Sequence, residues 1–208
     1  MAKHWDSFLS YCSACTHLAI LVAPLAYHRL CVDFCGLNQI TKKYRYLLLL
    51  IADLLDALWK ACVYTKINLW HACHLVCIAK GDEPKTAFRT CYRSYKWCVM
   101  PFRLTNTPAA FQHFMNDIFA DLLDICTVIY LDDILIYFDS MSDHTLHVQE
   151  ALQCLQDNRL YASTEKCEFH TTSMEYLGFI LSPDGLMMDP TKIQVIQDWP
   201  EPHKVWDI

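Results

Sequence analysis

Apolar positions change their period several times along this 208-residue chain, and each change marks an element. Alternation around Asp33, with Val32 and Phe34 apolar, predicts extended structure over residues 18–34. Helical spacing predicts a short helix at 51–59. Residues 62–67 and 74–79 read as strands joined by a tight segment at 68–73, and 86–90 with 95–100 as a hairpin that Pro101 helps to end. Pro108 can open a helix, and Ala110, Phe111, Phe114, Ile118 and Leu122 carry its apolar stripe over 109–123. Two apolar strands, 126–130 and 134–138, flank Leu131-Asp-Asp133. Ser142 can cap a helix running to about Asp157. Strand-like pieces follow at 167–169 and 175–181, then a turn at Pro183-Asp-Gly185 and a helix over 191–199. Strands and helices intermix through hairpins, so the fold class is α+β.

Composition bounds the reading. The chain is 54% hydrophobic and 19% charged, as globular proteins are, and it has only 4 glycines. Net charge is −6, which speaks against nucleic acid, but residues 1–100 carry 12 Lys/Arg against 6 Asp/Glu and residues 101–208 carry 5 against 17. A basic front half can follow a phosphate backbone while an acidic back half gathers cations. Of the 12 cysteines, Cys12 and Cys15 form a lone CxxC, and others such as Cys73, Cys77 and Cys126 sit in apolar runs, as buried free thiols do. This points to an intracellular, reducing compartment. The apolar stretch 18–27 is broken by Pro24 and is far short of the roughly 20 residues a membrane span needs, so no membrane partner and no export are expected. His71 with His74, and His144 with His147, stand three apart, but no carboxylate or cysteine set completes a metal site, and they read as packing or surface residues.

The segment Val128-Ile-Tyr-Leu-Asp-Asp-Ile-Leu-Ile136 carries the chemistry. In a continuous strand Asp132 and Asp133 would point to opposite faces and one would enter the core. A tight turn lets both project from a hairpin tip. Like charges so close need a counter-ion, and oxygen-only ligands favour a hard divalent cation, Mg2+ or its surrogate Mn2+. A solvated Asp-Asp turn would look the same in isolation.

The hairpin does not stand in isolation. Tyr130–Asp133 with its flanks resembles the catalytic hairpin of reverse transcriptases. Around it, in order, stand Leu30-Cys-Val-Asp-Phe-Cys-Gly-Leu-Asn38, Lys85-Thr-Ala-Phe-Arg-Thr90, Met100-Pro-Phe-Arg-Leu-Thr-Asn-Thr-Pro-Ala-Ala-Phe-Gln112, Lys166-Cys-Glu-Phe169, Tyr176-Leu-Gly-Phe179 and Met188-Asp-Pro190 with Trp199-Pro200. These resemble the RNA-directed DNA polymerases of gypsy-type LTR retrotransposons. The resemblance implies a right-hand fold with fingers at 1–60 and 79–107, palm at 61–78 and 108–190, and the start of a connection to a thumb at 191–208, with thumb and RNase H lying outside these residues. It implies template-directed addition of deoxynucleoside triphosphates to a primer on RNA or DNA by two-metal nucleotidyl transfer. Asp132 and Asp133 would hold the metal, and Arg29, Cys73, Phe102 and Arg103 would meet the nucleotide. Nothing in the residues points to an oligomeric state.

Four positions depart from the family pattern. After Tyr64-Thr-Lys-Ile67 the family has a third carboxylate, and here stands Asn68. Trp70 replaces a basic or small residue, Cys73 an aromatic one that gates the sugar, and Arg103 a glycine. The expected outcome is a weak or inactive enzyme, or a non-catalytic relic retained as a nucleic-acid or protein-binding fold. The residues at Asn68 and Arg103, with Cys35, Leu47, Leu49, Cys91, Arg93 and Thr107 elsewhere, can each arise from C-to-T changes on one DNA strand or the other, as in a retroelement copy worn by cytosine deamination; Cys73 does not fit that route.

Overall fold

The computed structural model describes residues 32–46, 54, 58, 61–70, 72–183 and 185–199. The extended segment expected at 18–31, most of the helix at 51–59, the CxxC, His71 and Arg29 lie outside the described residues. Val32 and Phe34 are buried around the half-buried Asp33, and a short helix follows (α1, Cys35–Ile40).

A four-stranded antiparallel sheet organises the centre, with strands ordered β4-β5-β1-β6. They are β1 (Val63–Asn68), β4 (Thr127–Tyr130), β5 (Asp133–Phe138) and β6 (Glu168–Thr171). β5 lies inside the sheet and is buried on both faces, which explains its unbroken apolar run. Its alternate residues serve two cores. Ile134 and Ile136 pack with Ile67 of β1 and with two helices, α2 (Thr107–Ile118) and α3 (Met141–Asp157), through Phe111, Met115, Val148 and Leu155. Leu135 and Tyr137 pack on the opposite face with Tyr64, Leu54, Leu58, Met174, Tyr176 and Leu181. A one-residue slip would exchange these faces, so the register is firmly held.

That second face is covered by a smaller antiparallel sheet, β7 (Met174–Tyr176), β8 (Phe179–Ser182) and β9 (Gly185–Met188), followed by α4 (Pro190–Gln197). Lys66 Nζ ties the sheets by donating to the Glu175 carbonyl at 3.1 Å. The strand expected at 175–181 is split in two by Leu177 and Gly178, both at positive φ; a Cβ on Gly178 would also collide with the Lys192 side chain. β9 is an addition that the alternation did not reveal.

The strand expected at 74–79 is corrected. Ala72–Leu75 is a 3-10 turn, and the segment contributes a single isolated bridge, Cys77 to Val99. Its apolar residues Cys73, Leu75 and Val76 pack against the helical core rather than lining a strand. The expected hairpin shrinks to β2 (Phe88–Arg89) with β3 (Ser94–Tyr95), where Phe88 faces Tyr95. Ser140, not Ser142, precedes α3, and its side chain makes no capping bond. His144 is fully buried, with Nε2 2.8 Å from the Thr65 hydroxyl, so it joins α3 to the sheet as a packing residue.

Candidate active site

The acidic hairpin is positioned from three directions. β4 and β5 pair through Tyr130 opposite Asp133, leaving Leu131 and Asp132 as a two-residue connection. Such a short link needs left-handed backbone, and Leu131 supplies it at φ 55° without being glycine. Gln112 of α2 holds the link from below: its Oε1 accepts the Leu131 N–H at 2.8 Å and its Nε2 donates to the Ile129 carbonyl at 3.0 Å. At 3% exposure Gln112 could not be buried without those partners. From the side, the Leu69 N–H donates to the Asp132 carbonyl at 2.9 Å.

Asp132 therefore occupies the turn, whereas Asp133 is the first residue of β5, and the two do not both stand at the tip. β1 runs antiparallel beside β5 with Asn68 opposite Asp133. Pleating puts both side chains on the same face. Asn68 Nδ2 donates to Asp133 Oδ1 at 2.6 Å.

Partial burial pushes the Asp132 carboxyl above the ordinary aspartate range; the Asp133 charge adds to this, while a hydrogen bond to its own backbone N–H and the Lys166 ammonium oppose it. Asp132 still exposes surface to solvent. Half-buried Cys73 stands near enough to feel it: burial, then the Asp132 charge, push that thiol up to about 11, so it is neutral at physiological pH. The Tyr176 phenol, 2% exposed on the facing sheet, is driven upward by burial first and then by the Asp133 charge.

The structure thus brings Asn68, Asp132, Asp133 and Cys73 together. Phe102 and Arg103 sit differently. Phe102 meets His74 edge-on at 4.8 Å, and His74 stacks on Trp97 at 5.6 Å. Arg103 lies beside α1, where its carbonyl accepts Asn38 Nδ2 at 2.8 Å and its charge reaches Asp33. Its φ of 71° is a conformation in which glycine is at ease. A separate cleft, lined by Asn38, Thr41, Val76, Ile78, Met100 and Leu104 among others, runs beside α1. Gln112 and Lys166 lie inside the segments Met100–Gln112 and Lys166–Phe169, but neither carries a role there that its own residue type announces. A lone buried polar residue on an apolar helix face was the available signal for Gln112.

A divalent metal asks for several oxygen donors of net negative charge. Here the third donor is a neutral amide whose N–H already occupies one oxygen of Asp133, and no group of three His, Cys, Asp or Glu residues able to hold a metal occurs among the described residues. The arrangement as it stands does not fit a metal pair.

Comparison with known proteins places this geometry in a lineage. The family model for reverse transcriptase (RNA-dependent DNA polymerase) matches residues 26–181. A retrovirus-related Pol polyprotein from transposon gypsy of Drosophila melanogaster is 37% identical over 180 residues, 86% of this chain and 17% of that protein. The transposon Tf2-3 polyprotein of Schizosaccharomyces pombe is 36% identical over 174 residues, 84% of this chain and 13% of that protein. The chain therefore spans less than a fifth of these relatives. Among solved structures, a foamy viral protease-reverse transcriptase in complex with RNA/DNA hybrid aligns at TM-score 0.77 and 20% identity, covering 88% of this chain and 25% of that one. A second, in complex with double-stranded DNA, aligns at TM-score 0.81 and 19% identity, covering 89% and 32%. The fold is thus an α+β reverse transcriptase fold, and by both its sequence and its architecture the chain belongs to the reverse transcriptase family, among the gypsy-type retrotransposon polyproteins.

Proposed function

We propose that this chain is the fingers-and-palm part of a reverse transcriptase, built for template-directed DNA synthesis from RNA or DNA, whose chemistry Asn68 and Arg103 impair. Fingers take 1–60 and 79–107, palm takes 61–78 and 108–190, and 191–208 begin the connection to the thumb. Family membership supports this, and so does the observation that carries it: Asp133, next to Asp132 of the turn, lies opposite and bonded to Asn68 at the end of β1, where the resemblance puts a third carboxylate.

In that reaction two divalent cations, Mg2+ or Mn2+, supply positive charge at the primer hydroxyl and the triphosphate. The donor set here falls short of such a pair, so what this chain's residues retain is binding. Arg89, Arg93 and Lys96 around the β2–β3 hairpin, with exposed Tyr92 and Tyr95, offer charge and stacking surface to a primer–template. The neighbours bound to RNA/DNA hybrid and to double-stranded DNA support nucleic acid as the partner.

Primer extension on an RNA template, with Mg2+ and with Mn2+, tests the reading. The chain as it stands should bind primer–template without measurable extension, and Asn68→Asp with Arg103→Gly should restore part of the activity. Robust extension by the unaltered chain would refute impairment, and failure of every variant to bind nucleic acid would refute the polymerase assignment. Binding without extension in all variants would favour the second reading, a non-catalytic retroelement relic that serves as a nucleic-acid-binding fold.

A further inference from the structure

We infer that Asn68 is an amide clamp on Asp133: its N–H takes the place of a cation, so that this chain excludes divalent metal from its own acidic site. The inference rests on reading the hairpin as the polymerase site and concerns what occupies that site.

Antiparallel pairing sets Asn68 directly opposite Asp133, with both side chains on one face, so the contact needs no distortion of either strand. The Nδ2–Oδ1 separation of 2.6 Å is short even for a hydrogen bond to a charged acceptor. The orientation of the amide is dictated by charge. Turned over, it would set its carbonyl oxygen against a carboxylate oxygen at the same distance, two negative ends with nothing between them. To serve a cation Asn68 must make that turn, and the site must first give up its best hydrogen bond. The surroundings reinforce the bond: Asn68 is held by its own carbonyl accepting the Ser163 N–H at 2.8 Å, and Leu69 is fastened to the Asp132 carbonyl at 2.9 Å. Lys166 already offsets part of the Asp132 charge. Asp133 thus has an N–H donor from within the chain where a cation would otherwise stand.

This differs from the simple loss of a ligand, and the difference is measurable. If Asn68 were merely a poor ligand, removing its last oxygen would leave metal binding unchanged or weaker. If it is a clamp, removing it frees Asp133 and binding strengthens. Free Mn2+ is followed by its paramagnetic resonance signal during titration of the full chain, without nucleic acid or nucleotide. Asn68→Asp should bind about tenfold or more tightly than the unaltered chain, Asn68→Ala should bind several-fold more tightly, and Asp133→Asn added to Asn68→Asp should return binding to the starting level. Equal or weaker binding by Asn68→Ala overturns the clamp, as does unaltered protein that binds as Asn68→Asp does.

A second measurement needs no variant of the clamp: the Asn68 side-chain amide protons should resonate downfield of other asparagines and stay there in millimolar Mg2+. Their movement to ordinary positions on adding Mg2+ would equally overturn it. The outcomes separate from those above. Variants that take up Mn2+ but bind no primer–template sink the polymerase reading and leave the clamp, whereas an unaltered chain that binds both sinks the clamp alone.

Discussion

Arg103 holds a backbone that suits glycine, with φ 71°, while its carbonyl keeps the bond to Asn38. A residue with a Cβ in that region is strained by about 1–2 kcal/mol, part of which glycine returns through its larger unfolded-state entropy. Arg103→Gly is therefore expected to raise stability by up to about 1 kcal/mol in urea unfolding, independently of any effect on activity; a clear loss would mean that the guanidinium's interaction with Asp33 outweighs the strain. Gln112 shows the opposite case. Its amide satisfies one donor and one acceptor around the Asp132 turn, and Gln112→Ala orphans both, which should cost about 2–4 kcal/mol in the same measurement. The two residues also show how far single positions can be read. Arg103 was visible because it broke a pattern, whereas Gln112 conforms to one, and its importance lies in partners seventeen and nineteen residues away.

The helix α3 is fastened to the sheet through a titratable contact. Burial, and then the charges of His170 and His147, push His144 down to about 4, and its ring bonds to Thr65 of β1. His170 stands edge-on at 5.2 Å, and His147 is within 3.5 Å of Glu150. The unfolded chain takes up this proton near the ordinary histidine value of 6.5, so stability is intact above that pH. It falls as the pH drops from 6.5 toward 4, and levels off below. A loss of about 2 kcal/mol between pH 7 and pH 5 is expected, and His144→Gln should abolish most of it; an unchanged slope in the variant would assign the effect elsewhere. At this scale the unbroken apolar run of β5 and the amphipathic stripe of α2 were plain in the sequence, because the first is buried on both faces and the second on one. The segment 74–79 was not. A run of apolar residues says only that the chain is packed, and here a 3-10 turn packs them without a ladder. β9 was equally hidden, since its four residues are exposed and owe their conformation to pairing with β8.

Taken whole, the chain carries its positive charge in the first half and its negative charge in the second, with a net −6. No helix among the described residues is long and apolar enough to cross a membrane. Separately, Arg89, Arg93 and Lys96 form an exposed basic surface that can meet phosphates. If it does, affinity for a primer–template should fall roughly tenfold or more between about 50 and 200 mM salt, even with only a few phosphates held. An affinity indifferent to salt would mean that the basic half is ordinary solvated surface. One further consequence lies in the corners of the fold. Arg103, Asp124, Leu131, Arg159, His170 and Leu177 all bend the backbone to the left, in a protein with four glycines in total. At about 1 kcal/mol apiece these bends could consume a large share of the 5–15 kcal/mol that keeps an ordinary domain folded. The survival time of such a protein in a warm cell would then be decided at its bends, by heat and proteolysis, before any question of catalysis arose.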